Sequence, residues 1–173
     1  EGSFMGTDDQ SFRDDHLSFY TEDIEKIDRM LNNYITVSKA KSVFLIDKSG
    51  SMITYKGEDH SINADELSAL VAASFAATKE IARLLGEAEF SVMFHQGKKD
   101  NIHISLVGNK AILVTLFSDN TTVGMIGHYS RELAQKLTSV FENLSKRILR
   151  RHEQIDEDMG AFVENKLDEL FNS

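Results

Sequence analysis

The residues best suited to chemistry in this chain lie around one predicted hairpin: His95, Asp100 and His103. Matching the apolar faces of its two strands requires a three-residue loop, Gly97 to Lys99. That register predicts that the two histidines are diagonal neighbours on one face, roughly 7–8 Å apart. A zinc ion needs a third protein ligand, and this face offers neither a cysteine nor a nearby carboxylate. The sequence therefore predicts no metal site, and paired or solvated histidines.

Other catalytic patterns are equally weak. The turn KSGS (48–51) is too short for a phosphate-binding loop and leads into a strand instead of a helix. A Ser–His–Asp site would need a G-x-S-x-G elbow, which the sequence lacks. Arg83 is a candidate arginine finger in trans, which would contribute on the order of 10³–10⁵ in rate. The alternative interpretation of Arg83 is an ordinary exposed arginine on a helix. We therefore predict that the protein has no catalytic residue and no cofactor and is not an enzyme.

The composition is that of a globular protein. The chain has 173 residues, of which 41% are apolar, and it contains no cysteine. No apolar run reaches 18 residues, so we expect no membrane insertion. Residues 1–20 are acidic and lack the apolar core of a signal peptide, which favours a cytoplasmic location. Residues 1–4, ahead of Met5, are interpreted as an expression scar.

Charge is distributed unevenly along the chain. Residues 1–28 hold 9 acids and 2 bases, and residues 153–173 hold 7 acids and 1 base. The middle holds 12 acids and 16 bases, although the whole chain carries a net charge of -9. Acidic ends argue against nucleic acid as the main partner. They are typical of segments that bind other proteins.

Hydrophobic periodicity predicts an α+β fold. Residues 1–18 have no periodicity and are expected to be disordered, and residues 153–160 are expected to form a flexible linker. The predicted order is a helix from Thr21, strands 42–47 and 52–56, a helix from Asn63 to Gly86, strands Glu89–Gln96, Asn101–Val107 and Ala111–Phe117, a long helix, and a tail helix Ala161–Phe171. The short connections favour one five-stranded antiparallel sheet with helices on both faces, in the order α-ββ-α-βββ-α.

The helix from Asn63 to Gly86 has an unusual surface. Apolar residues at 3–4-residue spacing predict a core stripe of Leu67, Leu70, Ser74, Ala77, Ile81 and Leu84. The other face is rich in alanine and is nearly bare at its centre. Alanine is the best helix former, but a wide apolar face on a soluble protein also indicates close contact with a partner.

Several segments together resemble one family. They are VFLIDKSGSMI (43–53), LVAASFAATKEIARLLGEAEF (70–90), FHQGKKDNIHISLVG (94–108), LVTLFSDNTTVGMI (113–126) and LDELF (167–171). In this order and spacing they resemble the roadblock/dynein light chain family, and within it the MglB-type regulators of bacterial polarity. The resemblance covers residues 21–150, and residues 19–152 are interpreted as the roadblock domain.

The resemblance implies a homodimer that regulates a Ras-like small GTPase of the MglA type. In that family the central helices pair, and the sheets join through the strand that follows. One GTPase sits on the helix pair, and the dimer acts as a GTPase-activating protein by reshaping the partner's active site. GTP and Mg²⁺ belong to that partner. Residues 153–173 would supply a linker and a partner-binding helix that favours nucleotide exchange. The resemblance also implies a role in cell polarity and gliding motility and a location at a cell pole. The partner-binding positions are Ala72, Ala73, Ala76, Lys79, Glu80, Arg83, Phe162, Leu167, Leu170 and Phe171.

Two other functions fit the same pattern of elements. One is a dimeric scaffold that binds a partner without stimulating GTP hydrolysis. The other is a small-molecule sensor, since a sheet flanked by helices can enclose a ligand pocket. A sensor needs a cavity lined by mixed apolar and polar groups. The alanine face instead favours flat, close contact, so the GTPase regulator is the preferred hypothesis.

Overall fold

Helices and strands follow one another in the predicted order. The computed structural model describes residues 21–58 and 62–172. The elements are α1 (Thr21–Ser38), β1 (Ser42–Asp47), β2 (Met52–Gly57), α2 (Ala64–Leu84), β3 (Val92–Gln96), β4 (Asn101–Val107), β5 (Ala111–Phe117) and α3 (Val123–Phe171). The predicted disordered segment, residues 1–18, lies outside the described residues.

The five strands form one antiparallel sheet in the order β2-β1-β5-β4-β3. β1 pairs with β2 and β5, and β4 pairs with β5 and β3. This arrangement confirms the predicted α+β fold. β2 and β3 are the two edge strands, and an edge strand leaves a row of backbone N–H and C=O groups open to another chain.

One face of the sheet is covered by α2. Val71 and Phe75 of this helix form a buried cluster with apolar side chains of β1, β4 and β5. The strand residues of the cluster are Phe44, Ile46, Ile104, Ile112 and Val114. They alternate along each strand, as expected for one face of a pleated sheet.

The opposite face is covered by α1 and by the beginning of α3. Tyr34 of α1 reaches Thr115 of β5 through a buried hydrogen bond. Ile126 of α3 packs with Ala40 and Phe117 in a second buried cluster. The end of α1 and the start of α3 meet at the same end of the sheet, because Lys41 N donates to Leu116 O at 2.8 Å. The two helices therefore cross this face in opposite directions.

The rotation of α2 differs from the prediction. The buried residues of the helix are Ser68, Val71, Phe75 and Ala82. Leu70, Ile81 and Leu84, predicted as core, are 63%, 52% and 76% exposed. Apolar residues cover so much of this helix that periodicity alone fits several rotations. The sheet selects the rotation that buries Phe75, because this side chain has the largest apolar surface to remove from water.

The β3–β4 hairpin also differs from the prediction. β3 begins at Val92, three residues later than predicted, and pairs Phe94 with His103. Gly97 N donates to Asp100 O at 3.1 Å, which shortens the predicted three-residue loop to two residues. A Cβ at Gly97 would lie 2.3 Å from Asp100 O, so only glycine allows this close pairing. The register is therefore shifted by one residue, which exchanges the two faces of one strand.

α3 is one continuous helix of 49 residues. The predicted linker at residues 153–160 is therefore wrong, and the predicted tail helix is confirmed as helix but is the end of α3 instead of a separate element. The chain contains no proline, and Gly160 alone costs about 1 kcal/mol relative to alanine in a helix interior. That cost is too small to stop a helix whose other residues all tolerate the conformation. By its contacts the chain divides into two compact units, one ending at Thr138 and one running from Ser139.

The Tyr34–Thr115 pair gives a test of the fold. The two hydroxyl oxygens are 2.8 Å apart, and burial raises the pKa of Tyr34 to about 12. Tyr34→Phe should lower the free energy of unfolding by about 1–3 kcal/mol, because the buried Thr115 hydroxyl loses its partner. Tyr34→Phe with Thr115→Val should recover most of that loss in urea denaturation. Equal destabilisation of the single and double variants would contradict this account.

Candidate interaction surface

α2 is a firmly bounded helix. Asn63 caps its first turn, with its side-chain oxygen accepting from Asp65 N and Glu66 N at 3.1 Å each. The helix ends at Leu84, and Gly86 has φ +81, a left-handed conformation that favours glycine at a helix end. Both boundaries match the sequence signals. The helix therefore presents its side chains in a fixed order around its axis.

One side of α2 is an exposed apolar surface, which we call the apolar flank. It consists of five of the six residues predicted as core, of which Ser74 is half-buried and the others are exposed: Leu70, Ser74, Ala77, Ile81 and Leu84. β3, which follows α2 in the chain, is an edge strand and also exposes apolar side chains. On the sheet face opposite α2, Val92 is 52% exposed and Phe94 is 41% exposed. A monomer rarely leaves this much apolar surface beside an open strand edge.

Another side of α2 carries six of the ten predicted partner-binding positions, which we call the platform. Its residues are Ala72, Ala73, Ala76, Lys79, Glu80 and Arg83. All of them are exposed except Ala72, which is half-buried. Arg83 Nε donates to Glu80 Oε2 at 3.0 Å, and both side chains are mostly exposed. The platform therefore combines small residues with a short charged cluster one to two turns further along.

The half-burial of Ala72 has a cause within the chain. Gly50, in the β1–β2 turn, has φ +97, and a Cβ there would lie 3.4 Å from Ala72 Cβ and 3.3 Å from Ala69 Cα. Asp47 holds this turn, because its carboxylate accepts from Ser51 N at 3.0 Å. Two of the alanines on this helix are therefore small because a turn lies against them. Partner binding by Ala72 stays a prediction, and Ala73 and Ala76 are the exposed alanines of the platform.

The tail residues lie on the last turns of α3. Phe162, Leu167, Leu170 and Phe171 are all exposed, by 46–82%. Ile155 and Met159 precede Phe162 at helical spacing and are exposed as well. Sequence reasoning missed these two residues because it assigned their segment to a linker. Their spacing of four and three residues was the signal that could have found them.

The two histidines of the hairpin do not share a face. β3 pairs His95 with Ile102 and Phe94 with His103. Residues that face each other across an antiparallel pair point to the same side. His95 therefore lies on the side covered by α2 and is exposed, whereas His103 is buried beneath Gly127 of α3. The predicted diagonal pair is wrong because of the one-residue shift in register.

Within residues 21–58 and 62–172, no three His, Asp or Glu side chains come close enough to hold a metal ion together. In the same part of the chain, no helix is both long enough and apolar enough to cross a membrane.

The sequence and the fold match known proteins. A model of the Roadblock/LC7 domain matches residues 26–117. The chain belongs to the Roadblock/LC7 family. Its similarity to MglB of Myxococcus xanthus reaches 34% identity, covering 68% of this chain and 96% of that one, with a TM-score of 0.66. The resemblance stated from the sequence is thereby confirmed.

Two further relatives agree with this placement. The gliding protein MglB from Thermus thermophilus is 28% identical, covers 73% of this chain and 96% of that one, and has a TM-score of 0.70. An uncharacterised protein of Aquifex aeolicus is 23% identical over 151 residues, which is 86% of this chain and 91% of the relative. The domain described here is thus an MglB-like roadblock domain.

The buried His103 gives a prediction for pH dependence. Its Nδ1 has no hydrogen-bond partner among the described residues, and burial lowers its pKa. The unfolded chain binds this proton near a pKa of about 6.5, whereas the folded chain binds it only at lower pH. Proton binding at His103 should therefore leave the free energy of unfolding unchanged above that pH. It should lower the free energy of unfolding as the pH falls below it.

Thermal melting from pH 7.5 to 5.5 measures this effect. His103→Gln should lose less of its melting temperature over that range than the wild type, since glutamine does not titrate. His95→Gln is the matched control and should behave as the wild type, because His95 is exposed. Equal acid sensitivity of the wild type and His103→Gln would contradict the assignment.

Proposed function

We propose that this protein is a homodimeric regulator of a Ras-like small GTPase of the MglA type. It acts as a GTPase-activating protein in bacterial cell polarity and motility, and its tail assists nucleotide exchange. The observation that carries the proposal is the surface of α2, which presents an apolar flank and a separate platform beside the open edge of β3. Membership of the Roadblock/LC7 family and the similarity to MglB support it.

The apolar flank and the β3 edge account for the dimer. A two-fold axis places the same patch of both chains in contact, so one symmetric contact covers both flanks. If β3 pairs with β3 of the second chain, the open backbone groups of both edges are satisfied. Leu70, Ile81 and Leu84 are 52–76% exposed, so their removal from water would gain somewhat more than half of the about 1.5–3 kcal/mol that full burial of such a side chain contributes. A dimer therefore explains why the domain exposes these residues.

The platform accounts for the binding of the GTPase. Residues of the platform and of the apolar flank alternate along α2, so helical periodicity separates them around the axis. Pairing through the flank leaves Ala73 and Ala76 outward on both helices. Their small side chains let another backbone approach closely, and Lys79, Glu80 and Arg83 supply polar contacts beside them. A broad platform of this kind fits a folded partner better than a small ligand.

Stimulation of hydrolysis needs no catalytic group from this chain. GTP and Mg²⁺ are bound by the GTPase, and the platform acts by stabilising the arrangement in which the GTPase's own residues surround the phosphates. Arg83 is the cation that an arginine finger would require. Its guanidinium is already engaged by Glu80 on the same helix. We therefore assign Arg83 to binding and not to charge stabilisation at the phosphate.

The tail supplies a second contact with the GTPase. Phe162, Leu167, Leu170 and Phe171 are exposed, and they alternate with acidic residues on the same helix. An amphipathic helix of this kind can bind an apolar groove of a folded partner. Because the segment is already helical, binding does not have to supply the entropy cost of forming the helix. This contact is the one we associate with nucleotide exchange.

The dimer is tested by Ile81→Glu. A carboxylate at this position would be buried twice, once from each chain, in an apolar contact. We expect the sedimentation mass at micromolar concentration to fall from twice the 19.5 kDa chain mass to one chain mass. Thr36→Glu, which adds the same charge at an exposed position of α1, should remain dimeric. A wild-type protein that sediments as a stable monomer would refute the dimer.

The GTPase contact is tested by Ala76→Arg. A long cation at the centre of a close contact should lower GTPase affinity at least a hundredfold, by overpacking and by desolvation of the charge. Co-elution with the MglA-type GTPase and stimulation of its GTP hydrolysis should both be lost, while the dimer mass and the circular dichroism stay unchanged. Asn32→Arg on α1 is the matched control and should retain both activities.

Each other outcome has a defined meaning. Unchanged co-elution of Ala76→Arg would place the GTPase on another surface. Wild-type co-elution without any change in the hydrolysis rate would leave a dimeric scaffold, the alternative that the sequence also allowed. Binding and stimulation can therefore fail separately in this experiment.

A further inference from the structure

A groove between α1 and the beginning of α3 is not used by the proposed function. It has a volume of about 360 Å³ and lies on the sheet face opposite α2. Its apolar floor is formed by Met30, Tyr34, Val37, Tyr129 and Leu133. Along α1 it extends from Lys26 to Val37, which at 1.5 Å per residue is about 16 Å, or three helical turns. This length fits a third helix laid against the other two.

The groove is also strongly basic. Lys26, Arg29 and Lys136 line it, together with the single acid Glu132. Glu132 lies 3.5 Å from His128 Nε2, an ion pair when the histidine is protonated. Within residues 21–58 and 62–172, no carboxylate forms an ion pair with any of the three cations. Uncommitted cations around an apolar floor select an occupant that is both acidic and apolar.

The end of α3 has the complementary character. Residues 153–173 carry 7 acids against 1 base. Ile155, Met159 and Phe162 form an exposed apolar stripe at four- and three-residue spacing. Asp158 lies three residues after Ile155 and four before Phe162, which places its carboxylate at the edge of that stripe. The only lysine of the segment, Lys166, pairs with Glu169 at 3.1 Å.

We propose that the groove of one chain binds residues 153–171 of α3 from a second copy of this protein. The acidic residues would pair with Lys26, Arg29 and Lys136, and the apolar stripe would cover the floor of the groove. Because each copy has one groove and one acidic helix end, reciprocal exchange can close the contact with two-fold symmetry. The groove lies on the sheet face opposite α2, so this contact joins dimers without using the apolar flank.

The contact has a regulatory consequence that rests on the proposed function. Phe162 belongs both to the stripe and to the tail surface assigned to the GTPase. A tail held in the groove of a second copy cannot contact the GTPase at the same time. Self-assembly and GTPase binding by the tail are then mutually exclusive, so high local concentration of this protein would withhold its tails.

Sedimentation of the full-length protein, without any GTPase, tests the assembly. The weight-average mass should rise above the dimer mass between about 1 and 200 µM, and less so in high salt, since the contact depends on exposed charge. Arg29→Glu with Lys136→Glu should weaken the assembly at least tenfold. Asp156→Lys with Asp158→Lys on the tail should weaken it to a similar extent. Lys39→Glu with Lys110→Glu, which changes the net charge by the same amount outside the groove, should have no effect.

The decisive experiment mixes the variant with reversed charges in the groove and the variant with reversed charges in the tail. The groove-reversed and the tail-reversed chains should each assemble poorly alone, and together they should recover assembly through the reversed ion pairs. No recovery on mixing, or a mass that does not change with concentration, would overturn the proposal. These outcomes are independent of Ala76→Arg and GTPase binding, so failure here and failure of the proposed function can be told apart.

Discussion

The rotation of α2 about its own axis is the constraint on which the other surfaces depend. Phe75 and Val71 fix it from below by packing into the sheet, and Gly50 fixes it from one side by lying against Ala69 and Ala72. A rotation by one residue would bury Leu70 and expose Val71, and so would exchange core for surface. With the helix held in this orientation, the apolar flank and the platform lie on separate sides. The proposed dimer contact and the proposed GTPase contact can then use one helix without competing.

Most strand bounds and both ends of α2 were predictable from the sequence, whereas the rotation of α2 and the β3–β4 register were not. Strand bounds follow alternation and turn residues, which are local signals, and the Asn63 cap and the Gly86 end are local as well. Rotation and register instead depend on which of several apolar sets is buried, and this is decided by contacts distant in sequence. The predictions for the core of α2 and for the loop at Gly97 each assumed that one set of apolar residues is buried together. Tertiary packing favours another set in both cases. The continuity of α3 was not predictable from the sequence, because a glycine within a polar segment is also typical of the end of a helix.

The candidate surface was predictable in kind more than in detail. Small residues on α2 indicate close approach, which the structure shows at one position and leaves open at two others. Near Ala72 the approaching group is the β1–β2 turn of the same chain, whereas Ala73 and Ala76 remain exposed. A sequence cannot separate these cases, since both require the same small side chain. The tail residues were identified by type, but their neighbours Ile155 and Met159 become visible only once the helix is seen to be unbroken.

Charge separation along the chain gives the surfaces their selectivity. The acidic residues are concentrated at the two ends of the chain, and the middle, which holds α2 and all groove residues except Lys26, has an excess of bases. Long-range attraction therefore favours encounters between an end of one molecule and the middle of another, over encounters between two ends or two middles. The apolar residues then decide how tightly each encounter binds, because surface ion pairs contribute at most about 1 kcal/mol each. The proposed contact between the groove and an acidic helix end therefore depends on the apolar floor as well as on the three cations.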